Sequence, residues 1–283
     1  MGGLGRKTGR MRSRTHPARR PGGSIRDIAG EGILLAAGAR AILLQVADPA
    51  VARGVAEHSD FASRPLDRLE GTLGYVYAVV FGSPEEVARA RRIVGRAHAP
   101  VRSTDAAADG SAPAYSAYDP ELQLWVAATV YQSAITMFEL CFGPLPDEAA
   151  DRIHRQYAVL GTALQVPEGM WPGDRRAFRA YWDERIATLE PTADARRIAG
   201  TLLDGRGAPP AVRAVMPLVA LVTAGLLPPR IRTGFGMRWD ARLERRCARL
   251  LAPVLAVYRV LPRVAREAPR SVITRRYRRR AVG

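Results

Sequence analysis

"SPEEVARARRIVGRAHAPV", residues 83–101, decides the fold class. Ser83 is a helix-capping residue, Pro84 suits the first helical position, and Glu85 and Glu86 meet the positive end of the peptide dipoles. Behind that start, Val87, Ala90, Val94, Ala97 and Val101 recur at intervals of three and four, the spacing of one helix face turned toward a core. His98 falls four residues after Val94 on the same face, with arginines on the other. Such an imidazole has two readings, a satisfied core histidine or a ligand.

The same punctuation repeats along the chain. Asp119-Pro120-Glu121 opens a helix that continues to Gly143, and Pro146 and Asp147 open the next, "LPDEAADRIHRQYAVLGTAL". Asp48 before Pro49 predicts a capped short helix, and "RPLDRLEGTLGYVYAVVFG" a helix ending at Gly82. "IAGEGILLAAGARAILLQVA", residues 28–47, is apolar on nearly all sides and predicts a buried helix. Further helices are expected near 175–189, 192–204, 211–226 and 238–260, with a loop over 102–117. Sustained alternation and internal repeats are absent. The expectation is an all-α protein with one large helical domain over 27–260, a disordered basic arm over 1–26 and a basic C-terminal tail over 261–283.

Charge supports that division. The chain carries a formal +16, of which residues 1–26 hold +8 and residues 261–283 hold +7, leaving +1 for the body. A groove-reading domain more often carries its charge on a folded face, so specific DNA binding is not expected. The tails read as solvated and flexible, with contact to an anionic membrane surface or RNA as the alternative. Cys141 and Cys247 are far apart and form no CxxC, which disfavours a disulfide framework and fits a reducing compartment. The basic N-terminus has no apolar region behind it to make a signal peptide. "AVMPLVALVTAGLL", residues 214–227, is short for a span and contains Pro217; it reads as a core helix, with a membrane-dipping segment as the alternative. The expected location is cytoplasmic, peripheral to the membrane if the tails bind it.

Conventional catalytic motifs are missing: no Walker A loop, no GxGxxG after a strand, no HExxH, no GxSxG. Neither cysteine has the glycine-rich setting of a thiolate-ligated haem. Three residues draw attention together. Arg68 and Thr72, in "DRLEGT", are one helical turn apart. They precede His98 by a short connection, so two neighbouring helices would bring an Arg, a Thr and a His together. Each has a plain reading too: Arg68 pairing with Asp67 or Glu70, Thr72 bonding back to its own helix. A neutral imidazole on a helix can also hold haem iron, and arginines can neutralise haem propionates. Arg102, one turn after His98, is a candidate for that role, or an exposed loop arginine.

The stretch "LLAAGARAILLQVADPAVARGVAEHSDFASRPLDRLEGTLGYVYAVVFGSPEEVARARRIVGRAHAPV", with "YSAYDPELQLWVAATVYQSA" and "GLLPPRIRTGFGMRWDARLERR", resembles the MpaB and rubber-oxygenase catalytic-domain family over roughly residues 28–270. The resemblance implies a helical domain enclosing an apolar haem pocket and a haem b-dependent oxygenase. His98, in "HAPVR", matches the family's iron ligand, and Arg68 and Thr72 match a functionally required Arg-x-x-x-Thr pair. The implied partners are dioxygen and an apolar small molecule, of isoprenoid or lipid type, cleaved at a C=C bond; without an export signal an extracellular polymer is the poorer substrate expectation. One departure stands out: many members read W-V-H-A-T where this chain has "WVAAT", placing Ala127 at the histidine's position. That motivates the alternative of a non-catalytic haem- or lipid-binding protein. Trp125, Thr129 and Tyr131 read as core rather than pocket. His154, among Asp151, Arg152 and Arg155, is expected at the surface as a lesser ligand candidate; His16 and His58 are not expected to bind metal.

Overall fold

The structure is a computed structural model that describes residues 23–58, 65–108, 110, 112–205 and 210–280. The N-terminal arm expected over 1–26 lies outside these residues except for its last four. The predicted helix starts form as capped helices. Ser83 Oγ accepts from the Glu86 N–H while Glu86 returns a bond to the Ser83 N–H (3.0 Å). Asp119 Oδ1 accepts from the Glu121 N–H at 2.8 Å, and Asp48 Oδ1 from the Ala50 and Val51 N–H groups at 2.9 and 3.2 Å. Each carboxylate or hydroxyl satisfies donors that the first helical turn leaves open.

In chain order the elements are α1 (Ile25–Ala29), a 3₁₀ turn (Gly32–Ala37), α2 (Gly38–Val46), α3 (Pro49–His58), α4 (Pro65–Phe81) and α5 (Pro84–His98). A two-residue antiparallel pair, β1 (Arg102–Ser103) with β2 (Tyr115–Ser116), closes the loop expected there and is the extended structure among the described residues. Then follow α6 (Pro120–Phe142), α7 (Asp147–Tyr157), α8 (Val159–Thr162), α9 (Arg175–Thr188), α10 (Ala193–Asp204), α11 (Pro210–Leu226), α12 (Pro229–Gly234), α13 (Ala241–Val260), α14 (Arg263–Arg266) and α15 (Ala268–Arg280). The chain is all-α. The single buried helix expected over 28–47 is instead α1, the 3₁₀ turn and α2. The break falls at Gly30-Glu31-Gly32, where the Glu31 side chain turns inward.

α6 is the central element, packed against α2, the 3₁₀ turn, α7, α8 and α13. Trp125, Ala128, Met137 and Cys141 on it are fully buried. By length and composition α6 can cross a bilayer, but 61% of its most apolar window is buried inside the fold, which accounts for that hydropathy. Trp125, Thr129 and Tyr131 are core residues: the Trp125 indole N–H donates to Leu44 O at 3.0 Å, and Thr129 Oγ1 accepts from Gln45 Nε2 at 3.1 Å. Ala127 is buried at 5% exposure, so apolar packing fills its position.

The C-terminal residues depart from expectation. Residues 261–280 are α14 and α15, docked on the body rather than trailing as a flexible tail. Arg266 reaches the buried carboxylate of Glu31 at 3.1 Å, and the Tyr258 hydroxyl donates to the same carboxylate at 2.8 Å. Burial pushes the Glu31 carboxyl above its ordinary value, outweighing the Tyr258 hydrogen bond and the Arg266 charge. Arg263 pairs with Asp27 at 3.2 Å, and Arg278 with Glu86 at 2.6 Å. Close approach depends on two glycines. A Cβ at Gly32 would lie 2.7 Å from Arg266 O, and one at Gly74 only 2.1 Å from the Tyr277 ring.

Candidate functional site

α4 and α5 are joined through Gly82 and Ser83 and fold back along each other. The start of α4 therefore stands beside the end of α5, where His98 sits. His98 is partly buried, its ring edge-on to Tyr118 with centroids 6.4 Å apart. Tyr118 is fixed by its hydroxyl, which donates to Gly95 O at 2.7 Å. Of the predicted apolar face, Ala90 is buried and Val94 packs on the core, while Ala97 is exposed, so α5 leaves the core as it approaches its end.

The other predicted site residues are placed unevenly. Thr72 lies on the α4 segment beside the end of α5, exposed to solvent. The Arg68 backbone is helical, but its side chain lies outside the described residues. Arg102 is exposed on β1, beyond the turn that follows α5, and does not join a buried cluster. Among the described residues, a Cβ at Gly71 would meet nothing within 4 Å, and one at Gly95 only the Tyr118 hydroxyl at 3.8 Å. Among the described residues no group of three or more His, Cys, Asp or Glu side chains is arranged to hold a metal ion. One imidazole is the donor that a haem, which brings its own four nitrogens, would require of the protein, and His98 is half-buried with its Nδ1 enclosed.

His154 is not at the surface. It is 1% exposed, with ring centroids 5.4 Å from Tyr131 and Trp171 and 5.5 Å from Phe178. Of its charged neighbours, Arg152 and Arg155 are exposed and Asp151 pairs with Arg175. The spacing of Ala150, Ile153, His154 and Tyr157 carries the signal, since all four are buried at intervals of a helical face. Nε2 stands 2.8 Å from Pro172 O and so carries the proton that it donates, leaving Nδ1 as the bare nitrogen, buried without a hydrogen-bond partner.

Burial holds the His154 imidazole below its ordinary value of 6.5. The unfolded chain thus takes up this proton at a higher pH than the native protein does. Its contribution to stability is intact above about pH 6.5 and declines as pH falls through that value, by at most about 1.4 kcal/mol per pH unit. The expected result is that His154→Phe flattens the decline in urea midpoint between about pH 7 and about pH 5. An unchanged slope would show that His154 does not titrate on unfolding.

Sequence reading also missed a polar seam beside α6. Arg40 is 3% exposed; its Nε donates to Leu226 O at 2.8 Å and a terminal nitrogen to Ser133 Oγ at 2.6 Å. Burial lowers its pKa to about 10, so it remains a cation at neutral pH. Arg185 lies over the Trp125 ring at 5.1 Å and pairs with Asp48 at 2.6 Å. Both arginines are held by fixed partners, which makes the seam structural.

An all-α body with a half-buried imidazole at the end of a helical hairpin is the class that fold and site define. Residues 25–266 match the family described as the catalytic domain of the ER-bound oxygenases mpaB and B' and of rubber oxygenase, and the chain belongs to that family. An uncharacterized protein of Mycobacterium tuberculosis is 35% identical over 227 residues, covering 78% of this chain and 87% of its own. An uncharacterized protein of Mycobacterium bovis matches to the same extent. No solved structure matches the chain.

Proposed function

We propose that this chain is a haem b-dependent oxygenase in which His98 would hold the iron, acting on an apolar isoprenoid or lipid substrate by oxidative cleavage of a C=C bond. The observation that carries the reading is the position of His98 within a family match spanning residues 25–266. The haem, when bound, supplies the activation of dioxygen. The chain's own residues would hold it: His98 through a ring nitrogen, with Tyr118 edge-on to that ring, and Thr72 and Arg68 on the neighbouring helix α4. Their polar groups suit a reacting oxygen or a propionate. Arg102, at the edge, suits a propionate in contact with water.

The test is the visible spectrum of protein expressed with haem supply. His98→Ala is expected to lose the Soret band, with helical circular dichroism unchanged. Full haem content with an unaltered spectrum in that variant would remove His98 as the ligand. Arg68→Ala is expected to weaken haem retention or turnover, and wild-type behaviour in both would exclude it from the site. The buried Ala127 favours a second reading, a non-catalytic haem- or lipid-binding protein. Oxygen consumption by the haem-loaded protein with candidate alkenes separates the two.

A further inference from the structure

The exposed face of α13 changes character along its length. Arg242, Arg245, Arg246 and Arg249 point to solvent over its first half. Its second half and the start of α14 then expose Leu250 (41%), Val254 (49%), Val257 (60%), Val260 (81%) and Val264 (85%). Positions 250, 254, 257 and 261 follow a helical repeat, so this is a stripe along one face and not scattered exposure. α11, packed on α13, adds exposed Val215 and Leu218. Residues 241–280 hold thirteen arginines and two glutamates, a net +11. Of these, residues 241–266, which carry the apolar stripe, hold seven arginines and one glutamate, a net +6.

We propose that α13 and α14 dock this protein onto an anionic lipid bilayer surface, the valines and leucines entering the acyl boundary and the arginines meeting acidic headgroups. Amphipathic helices with a basic polar part bind membranes in this way, lying in the interface without crossing it. Charge complementarity selects the occupant. A second copy would bring one basic α13–α14 segment, formally +6, against another, and like charges oppose that contact. A nucleic acid would neutralise the arginines but leave the apolar side chains in water. A bilayer with acidic headgroups satisfies both halves of the face. The membrane contact then lies on a folded helix and not on flexible tails, whichever cofactor the α4–α5 hairpin holds.

The experiment is co-sedimentation of the full-length protein with phosphatidylcholine vesicles, with and without phosphatidylglycerol. Binding to the anionic vesicles is expected to be at least about tenfold tighter and to weaken as salt is raised. A triple variant, Val254→Asp, Val257→Asp and Val264→Asp, changes exposed positions only; it is expected to keep native circular dichroism and lose about tenfold or more of the vesicle binding. No binding to anionic vesicles would overturn the proposal, as would binding that the triple variant leaves intact. A concentration-dependent dimer abolished by the same variant, without vesicle binding, would assign the face to self-association instead. Salt-sensitive retention on RNA, with no vesicle binding, would assign it to nucleic acid.

Discussion

Asp48→Ala is expected to destabilise the protein by about 3 kcal/mol, read as a lower urea midpoint at unchanged slope. One carboxylate does two jobs. Its Oδ1 caps α3 through two backbone N–H groups, and its Oδ2 accepts from Arg185 at 2.6 Å. The Asp48 side chain is 8% exposed and that of Arg185 is 28% exposed. Loss of a cap costs about 1 kcal/mol. Stranding a buried cation costs about 3–5 kcal/mol, less here because Arg185 keeps water on one side and the Trp125 ring beneath it. Against a total stability of about 5–15 kcal/mol, the loss is large. Asp48→Asn, which retains a capping oxygen, is expected to lose less. Adding Arg185→Met to it recovers part of that loss, because no charge is then left unpaired. A loss below about 1 kcal/mol in Asp48→Ala would show that the pair contributes little.

Gly74→Leu is expected to lift α15 off the body. Any Cβ at position 74 would sit 2.1 Å from the Tyr277 ring, and three further carbons have nowhere to go. Overpacking of this kind costs about 1–3 kcal/mol, and moving α15 relieves it. That movement gives up the Arg278–Glu86 ion pair and the stacking of Arg270 over Phe81 at 4.4 Å. The readout is limited trypsin digestion, because α15 is arginine-rich and protected while helical and docked. Cleavage within 268–280 is expected to speed up by about tenfold or more at an unchanged helical signal for the rest of the chain. Adding Tyr277→Ala to a milder Gly74→Ala change is expected to restore docking. Wild-type resistance in Gly74→Leu would mean that α15 is not held at this contact.

The two variants probe different kinds of legibility. Asp48 is readable: an aspartate directly before Pro49 is a local cap signal, and its two backbone bonds involve residues two and three positions away. Its partner Arg185 was not, being 137 residues distant. The docking of α15 was hidden for the same reason. Counting charge by segment reads 261–283 as a solvated tail, because the acids that receive its arginines, Asp27, Glu31 and Glu86, lie in other parts of the chain.

Sequence alone determined the all-α class, the helix starts at Ser83, Asp119 and Asp48, the family, and His98 as the first candidate ligand. These rest on bonds within one turn, on periodicity along one helix, or on motifs read in order. Only the tertiary structure decided that His154 is buried in an aromatic cage, that Arg40 is held by Leu226 and Ser133, and that α13 turns an apolar stripe outward. Burial is a property of what packs against a side chain, and the packing partners of these residues come from distant segments, so no local pattern carries the information.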